Sequence, residues 1–161
     1  MLVVADSSPL VALVNIGHIV ILPNLFSRIV IPPAVARELL DPKRPAAIRD
    51  FFAAAPKWLH IQQPSHVEPI ANLHLGETEA ISLAIELHAD LLLVDEREAY
   101  RKAIALKLNA IGTIRVLERA AEEGLLDLKD AFERLKRTDF WISHALLDQR
   151  LALHLVARQP K

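Results

Sequence analysis

Short apolar runs alternate with helix-period segments along this chain. Residues 2–5 (LVVA), 28–31 (RIVI) and 91–94 (LLLV) are brief, apolar and bounded by turn formers or charged residues, the pattern of buried strands. The run at 91–94 has no polar position at all, which predicts a central strand. Weaker strand patterns fall at 58–62 and 110–111. Ser7-Ser8-Pro9 opens a helix that runs to Gly17, and 18–26 forms a second short helical piece with Pro23 near its end. Pro32-Pro33 starts a helix that stops before Asp41-Pro42. Helical patterns also cover 46–55, 77–88, 96–108, 113–123, 128–136 and 142–156, whereas 63–75, with Pro64 and Pro69, reads as an irregular loop.

Strands that alternate with helices predict an α/β fold: a central, mostly parallel sheet with helices on both sides. In such sheets the functional crevice lies beyond the carboxyl ends of the strands. No repeat, low-complexity tract or linker interrupts the pattern, so a single domain over 1–161 is expected. Its core is 1–126, and 127–161 forms a helical carboxy-terminal extension.

Composition narrows the chemistry. The chain has 161 residues, 52% hydrophobic and 24% charged, enough for a sizeable core. A net charge of -1 argues against a uniformly cationic nucleic-acid binder but leaves room for a local basic patch. With no cysteine, disulfides and thiolate zinc sites are excluded. None of the seven histidines shows HExxH or another tight ligand spacing. The MLVVADSS start has no cationic leader, and no apolar run reaches the ~18 residues of a membrane span. A cytoplasmic protein without membrane association is expected.

Four acids carry the candidate chemistry. Asp6 ends the first apolar run and Asp95 the run LLLV, so both belong at carboxyl ends of strands. Glu38 lies in IPPAVAREL and Glu79 in GETEAISLAIEL. Each has a plainer reading. Asp6 suits a turn, Asp95 suits an N-cap for the next helix, and Glu38 and Glu79 suit solvated helix faces. Helix geometry sets Thr78, Glu79, Ser82 and Glu86 on one polar side and turns Glu77 toward the apolar side, which makes Glu77 a first-turn dipole residue. Clustered carboxylates repel one another unless a cation neutralises them. An all-oxygen set suits Mg²⁺ or Mn²⁺, as one ion or two, and phosphodiester chemistry. Ser8 and Thr113 are placed to support a carboxylate or to cap helices, and Arg97, Arg101 and Lys102 to hold phosphates or to form a solvated face.

The segments VVADSSPLVAL, RIVIPPAVARELL, GETEAISLAIEL, LLLVDEREAYRKA and IGTIRVLERAAEEGLL, in this order, resemble the PIN-domain superfamily, most nearly its prokaryotic VapC-like branch. The resemblance covers most of 1–126 and implies a three-layer PIN-like fold. It implies a Mg²⁺- or Mn²⁺-dependent ribonuclease, commonly a homodimer. Such enzymes are often the toxin of a type II toxin–antitoxin pair, silenced by a small antitoxin. The acidic quartet would fall on Asp6, Glu38, Glu79 and Asp95, with Ser8 matching the small polar residue after the first aspartate. The third acid is glutamate where many relatives carry aspartate, and Glu98 follows Asp95 in place of the usual aspartate–phenylalanine ending. The alternative is a PIN-like module that binds RNA or a partner with little or no turnover. A phosphorylation-dependent receiver domain fits worse, because Ser7-Ser8 stand where it needs paired acids. In the last helix, Leu147, Leu151 and Leu155 make a stripe that either packs internally or meets a dimer partner or antitoxin.

Overall fold

The computed structural model describes residues 1–160; Lys161, the last residue of the predicted domain, lies outside them. Five strands are present: β1 (Leu2–Ala5), β2 (Arg28–Ile31), β3 (Leu59–Ile61), β4 (Leu91–Leu93) and β5 (Ala110–Ile111). They form one sheet in the order β3-β2-β1-β4-β5, and every pairing is parallel. The order reverses at β1, and next to such a switch point the loops leave the sheet in opposite directions and open a crevice. That crevice lies beyond the ends of β1 and β4, where Ala5 is paired with Leu93.

The two-residue period of the strands divides the core between the faces. Val3, Ala5, Ile29, Ile31, Leu91 and Leu93 join a large cluster on one face, while Val4, Val30, Leu92 and Val94 join a smaller cluster on the other. Helices α1 (Ser7–Asn15), α2 (Ile21–Leu25), α3 (Pro33–Leu39), α4 (Ala46–Ala53), α7 (Thr113–Glu122), α8 (Leu128–Lys136) and α9 (His144–Ala157) contribute to the large cluster. Helices α5 (Leu75–Glu86) and α6 (Arg97–Ala105) cover the other face. The three-layer arrangement therefore follows from strands that are apolar on both sides.

The segment after residue 126 packs on the domain rather than standing apart. Leu128, Ala131, Phe132, Leu135 and Leu147 are buried in the large cluster, and Arg150 is ion-paired with Glu118 of α7. The α9 leucine stripe splits: Leu147 is buried and Leu151 packs on the core, but Leu155 is exposed. No helix among the described residues is long and apolar enough to cross a membrane.

Candidate functional site

A cleft of about 1330 Å³ opens at the carboxyl ends of β1 and β4, lined by Asp6, Ser7, Ser8, Glu77, Asp95, Glu96 and Arg97 among others. Asp6 and Asp95 thus share one cleft, as the strand-end reading expects. They do not point the same way. Ala5 pairs with Leu93, so Asp6 is level with Val94 and Asp95 lies one residue further on. In a pleated strand a one-residue offset sends the side chain to the opposite face. Asp6 accordingly sits in the field of Glu38, Glu77 and His74, whereas Asp95 turns to α1 and α7, where Ser8 and Thr113 bind it.

Asp6 is 4% exposed, and its Oδ1 is buried with no hydrogen-bond partner. Burial pushes its carboxyl up to about 7, and the negative charges of Glu38 and Glu77 add to the rise, against a backbone hydrogen bond from Ser7 and the pull of His74. Glu77 is buried at the third position of α5. It completes a capping box with His74, and burial, Glu96 and Glu38 raise its pKa despite His74. Asp95 has the contrary setting. Its Oδ1 accepts the Thr113 N–H at 2.7 Å, and its Oδ2 accepts the Thr113 Oγ1 hydroxyl at 2.7 Å and the Ser8 hydroxyl at 3.3 Å. Burial still raises its pKa, though these donors pull against the rise. Asp95 is not the helix cap: Glu96 takes that role by accepting the Ala99 N–H at 2.8 Å.

Glu38 projects from α3 and does not itself line the cleft; the Ser7 hydroxyl, which does, donates to it at 2.6 Å. Gly76 makes its position possible, since a Cβ there would overlap Glu38 Oε1. Gly112 does the same for Asp95, whose Oδ1 would lie 2.8 Å from an added Cβ. The glycines of GETEAI and IGTI are therefore spaces for carboxylates.

Glu79 is placed elsewhere. Its Oε2 accepts the Ala34 N–H at 2.9 Å, at the amino end of α3, and it does not line the cleft. Glu77, expected on the apolar side as a first-turn dipole residue, is buried there but stands beside Asp6. The expected polar side of α5 is largely covered: Thr78 and Ser82 are buried and Glu79 half-buried, while Leu75 is exposed. The signal for Glu77 was its place three residues after the helix cap. Glu98 pairs loosely with Lys102 at 3.9 Å, and neither they nor Arg101 line the cleft, unlike exposed Arg97. Sequence reasoning missed Ser7, Arg44, Arg115 and Arg150, and the wall formed by residues 138–143. The arginines and the wall come from distant segments with no local pattern to mark them, whereas Ser7 directly follows Asp6 and reads only as part of a helix opening.

The donors suit a hard divalent cation by type, with an orphaned carboxylate oxygen on Asp6 and the charges of Glu38 and Glu77 acting on that group. Among the described residues, however, no three Asp, Glu or His side chains are grouped to hold a metal ion. Mg²⁺ does not require such a cage, since it commonly binds through one or two carboxylates and keeps several waters.

A family model described as a PIN domain, DUF3368, matches residues 2–155. Among solved structures, a PilT N-terminus domain protein from the hyperthermophilic archaeon Sulfolobus solfataricus P2 is similar. It shares 23% identity at a TM-score of 0.54, over 76% of this chain and 95% of that one. A search of curated proteins gave no match.

Proposed function

Since the chain belongs to the PIN-domain family, we propose that it is a divalent-metal-dependent ribonuclease that hydrolyses RNA phosphodiester bonds in the cleft beyond β1 and β4. PIN domains are in general nucleases that use divalent metal ions. The observation that carries the reading is Asp6, a buried carboxylate with an unpartnered Oδ1 and acidic neighbours, which once ionised calls for a cation.

Mg²⁺ or Mn²⁺ bound there would supply charge stabilisation at a phosphoryl oxygen and acidify a water. Asp6 would be the primary ligand, with Glu77 beside it in the cleft and Glu38 adding negative charge from behind Ser7. Thr113 and Ser8 hold Asp95 in one orientation, so its carboxylate is fixed before substrate arrives. Arg97 binds substrate phosphate at the cleft edge. Glu79 acts on the fold, through the start of α3, and not on the reaction.

The purified protein is incubated with several RNAs in Mn²⁺, Mg²⁺ or EDTA, beside Asp6→Asn and Asp95→Asn. Cleavage should need the metal and be lost in both variants. Full activity in both would remove the enzyme reading. A second reading, binding of RNA or a partner without turnover, is favoured by the spacing of the acids, since among the described residues no three are grouped to hold a metal ion. Metal-independent RNA binding with no cleavage would establish it. The toxin role, with a homodimer held inactive by a small antitoxin, rests on the VapC-like resemblance alone. Growth arrest on expression, relieved by a co-purifying small protein, tests it.

A further inference from the structure

The segment 138–143 (TDFWIS) joins α8 to α9 and forms a wall of the cleft that Asp6, Glu77 and Asp95 line. It has no regular secondary structure, yet it is tied down. The Thr138 hydroxyl donates to the Leu135 carbonyl at 2.7 Å and accepts the Phe140 N–H at 3.2 Å. Ser143 Oγ accepts the Leu146 N–H at 3.3 Å and caps α9. Phe140 and Ile142 pack on the core, and Trp141 between them stands 98% exposed. With both neighbours turned inward, the indole has nowhere to go but outward.

A single exposed apolar residue is ordinary on a protein surface. Trp141 differs in its setting. Its cleft holds carboxylates fit for a cation, the exposed arginine Arg97 and a second exposed aromatic, Tyr100. Asn15 and Thr138 line both this cleft and an adjoining cavity of about 450 Å³ that bears Arg134 and Arg137. Arg134 is already paired with Asp130, but exposed Arg97 in the cleft and exposed Arg137 in the adjoining cavity, with the exposed indole on the cleft wall, match a chain of alternating phosphates and bases.

Resting on the nuclease reading of this cleft, we propose that Trp141 is a stacking platform for an unpaired base of the substrate strand, with Arg137 taking a phosphate beyond it. The bound chain is single-stranded, because a duplex keeps its base faces stacked internally and offers the indole none. Trp141 is a substrate-positioning residue: it touches a base flanking the scissile bond, while the acids act on the phosphate.

Tryptophan fluorescence tests this directly. The other tryptophan, Trp58, is half-buried against Phe51 with ring centroids 6.4 Å apart, and a Trp58→Phe background leaves Trp141 as the reporter. Single-stranded and duplex RNA octamers are titrated in Ca²⁺, which takes the same oxygen donors. The single strand should quench Trp141 saturably and the duplex should not. Trp141→Ala should weaken binding by about tenfold or more, Trp141→Tyr should restore most of it, and the melting temperature should not move. Arg137→Gln should weaken binding less and flatten its salt dependence. Unchanged affinity in Trp141→Ala, or equal quenching by the duplex, overturns the proposal. So does loss of self-association in Trp141→Ala with no effect on RNA binding. Cleavage in Mn²⁺ is scored separately on the same proteins. A strand that stacks but is never cut removes the nuclease reading alone. Cleavage by Trp141→Ala with unchanged KM removes the platform alone.

Discussion

Asp6 and Asp95 end neighbouring parallel strands and open onto one cleft, but they live under opposite conditions. Asp95 receives a backbone N–H and two hydroxyls. Asp6 has a buried oxygen with no donor and two acidic neighbours. The cause is one step of register: the pleat turns Asp95 toward the helix start that carries Thr113, and Asp6 toward the acids of α3 and α5. Equivalent positions in sequence are thus not equivalent in chemistry. Asp95 is a finished structural element, and Asp6 is an unfinished one that awaits a positive charge.

Replacing each aspartate by asparagine should break the pair apart most visibly. In metal-free protein at pH 8, Asp6→Asn removes a charge buried beside like charges and should raise stability, by about 1–3 kcal/mol. Asp95→Asn gives up a carboxylate with donors on both oxygens, sets an amide N–H₂ against one of them, and should lower stability by a similar amount. Chemical denaturation of both variants reads the two signs, and the same sign for both would sink the contrast.

The pH dependence sharpens it. Asp6 in the folded protein holds its proton to about pH 7, while its ordinary value is 3.8. Between those values the folded state binds the proton more tightly than the unfolded state. The group therefore favours folding most at the acid end, and this contribution is lost as pH rises from 3.8 to about 7. Asp95 and Glu77 are shifted in the same direction. The metal-free melting temperature should fall from pH 5 to pH 8, with a shallower fall in Asp6→Asn. Mn²⁺ should restore more of it at pH 8 than at pH 5, because ligation competes with the proton. Calorimetry across that range checks both slopes.

Thr113→Val tests the well-supplied partner. It leaves the backbone N–H in place but removes the hydroxyl donor at 2.7 Å from a fully buried site, and should cost about 1–2 kcal/mol while reducing cleavage. The smallest effect belongs to Glu79→Gln. The amide oxygen can still accept the Ala34 N–H, so stability should change by about 0.5 kcal/mol or less and cleavage should stay near wild type. A large loss of cleavage in this variant would return Glu79 to the reaction.

The sheet was legible because its signal is local. LVVA, RIVI and LLLV are apolar on both faces, and each became a strand within a residue of its expected bounds. Asp6 and Asp95 were legible for the same reason, as the first polar residues after such runs. Glu77 was not, because a wheel drawn on α5 takes the polar side for the functional one, whereas Thr78 and Ser82 of that side are buried and Asp6 lies on the side to which Glu77 turns. Gly76 falls between the expected loop at 63–75 and the expected helix at 77–88, although it lies inside α5 and makes room for Glu38. The carboxy-terminal wall was least legible. Trp141 acquires meaning only from the fold that brings residues 138–143 across from Asp6, and nothing within TDFWIS encodes that distance.

The strand order bears on when this cleft can exist during synthesis. β1 is the hub of the sheet and needs β4, whose Leu93 pairs with Ala5, before its second edge is covered. During synthesis Asp6 therefore emerges well before Glu77 and Asp95, which come to share its cleft. The acidic centre assembles only once β4 has emerged and paired with β1, so a truncated product that ends before β4 is incapable of the chemistry.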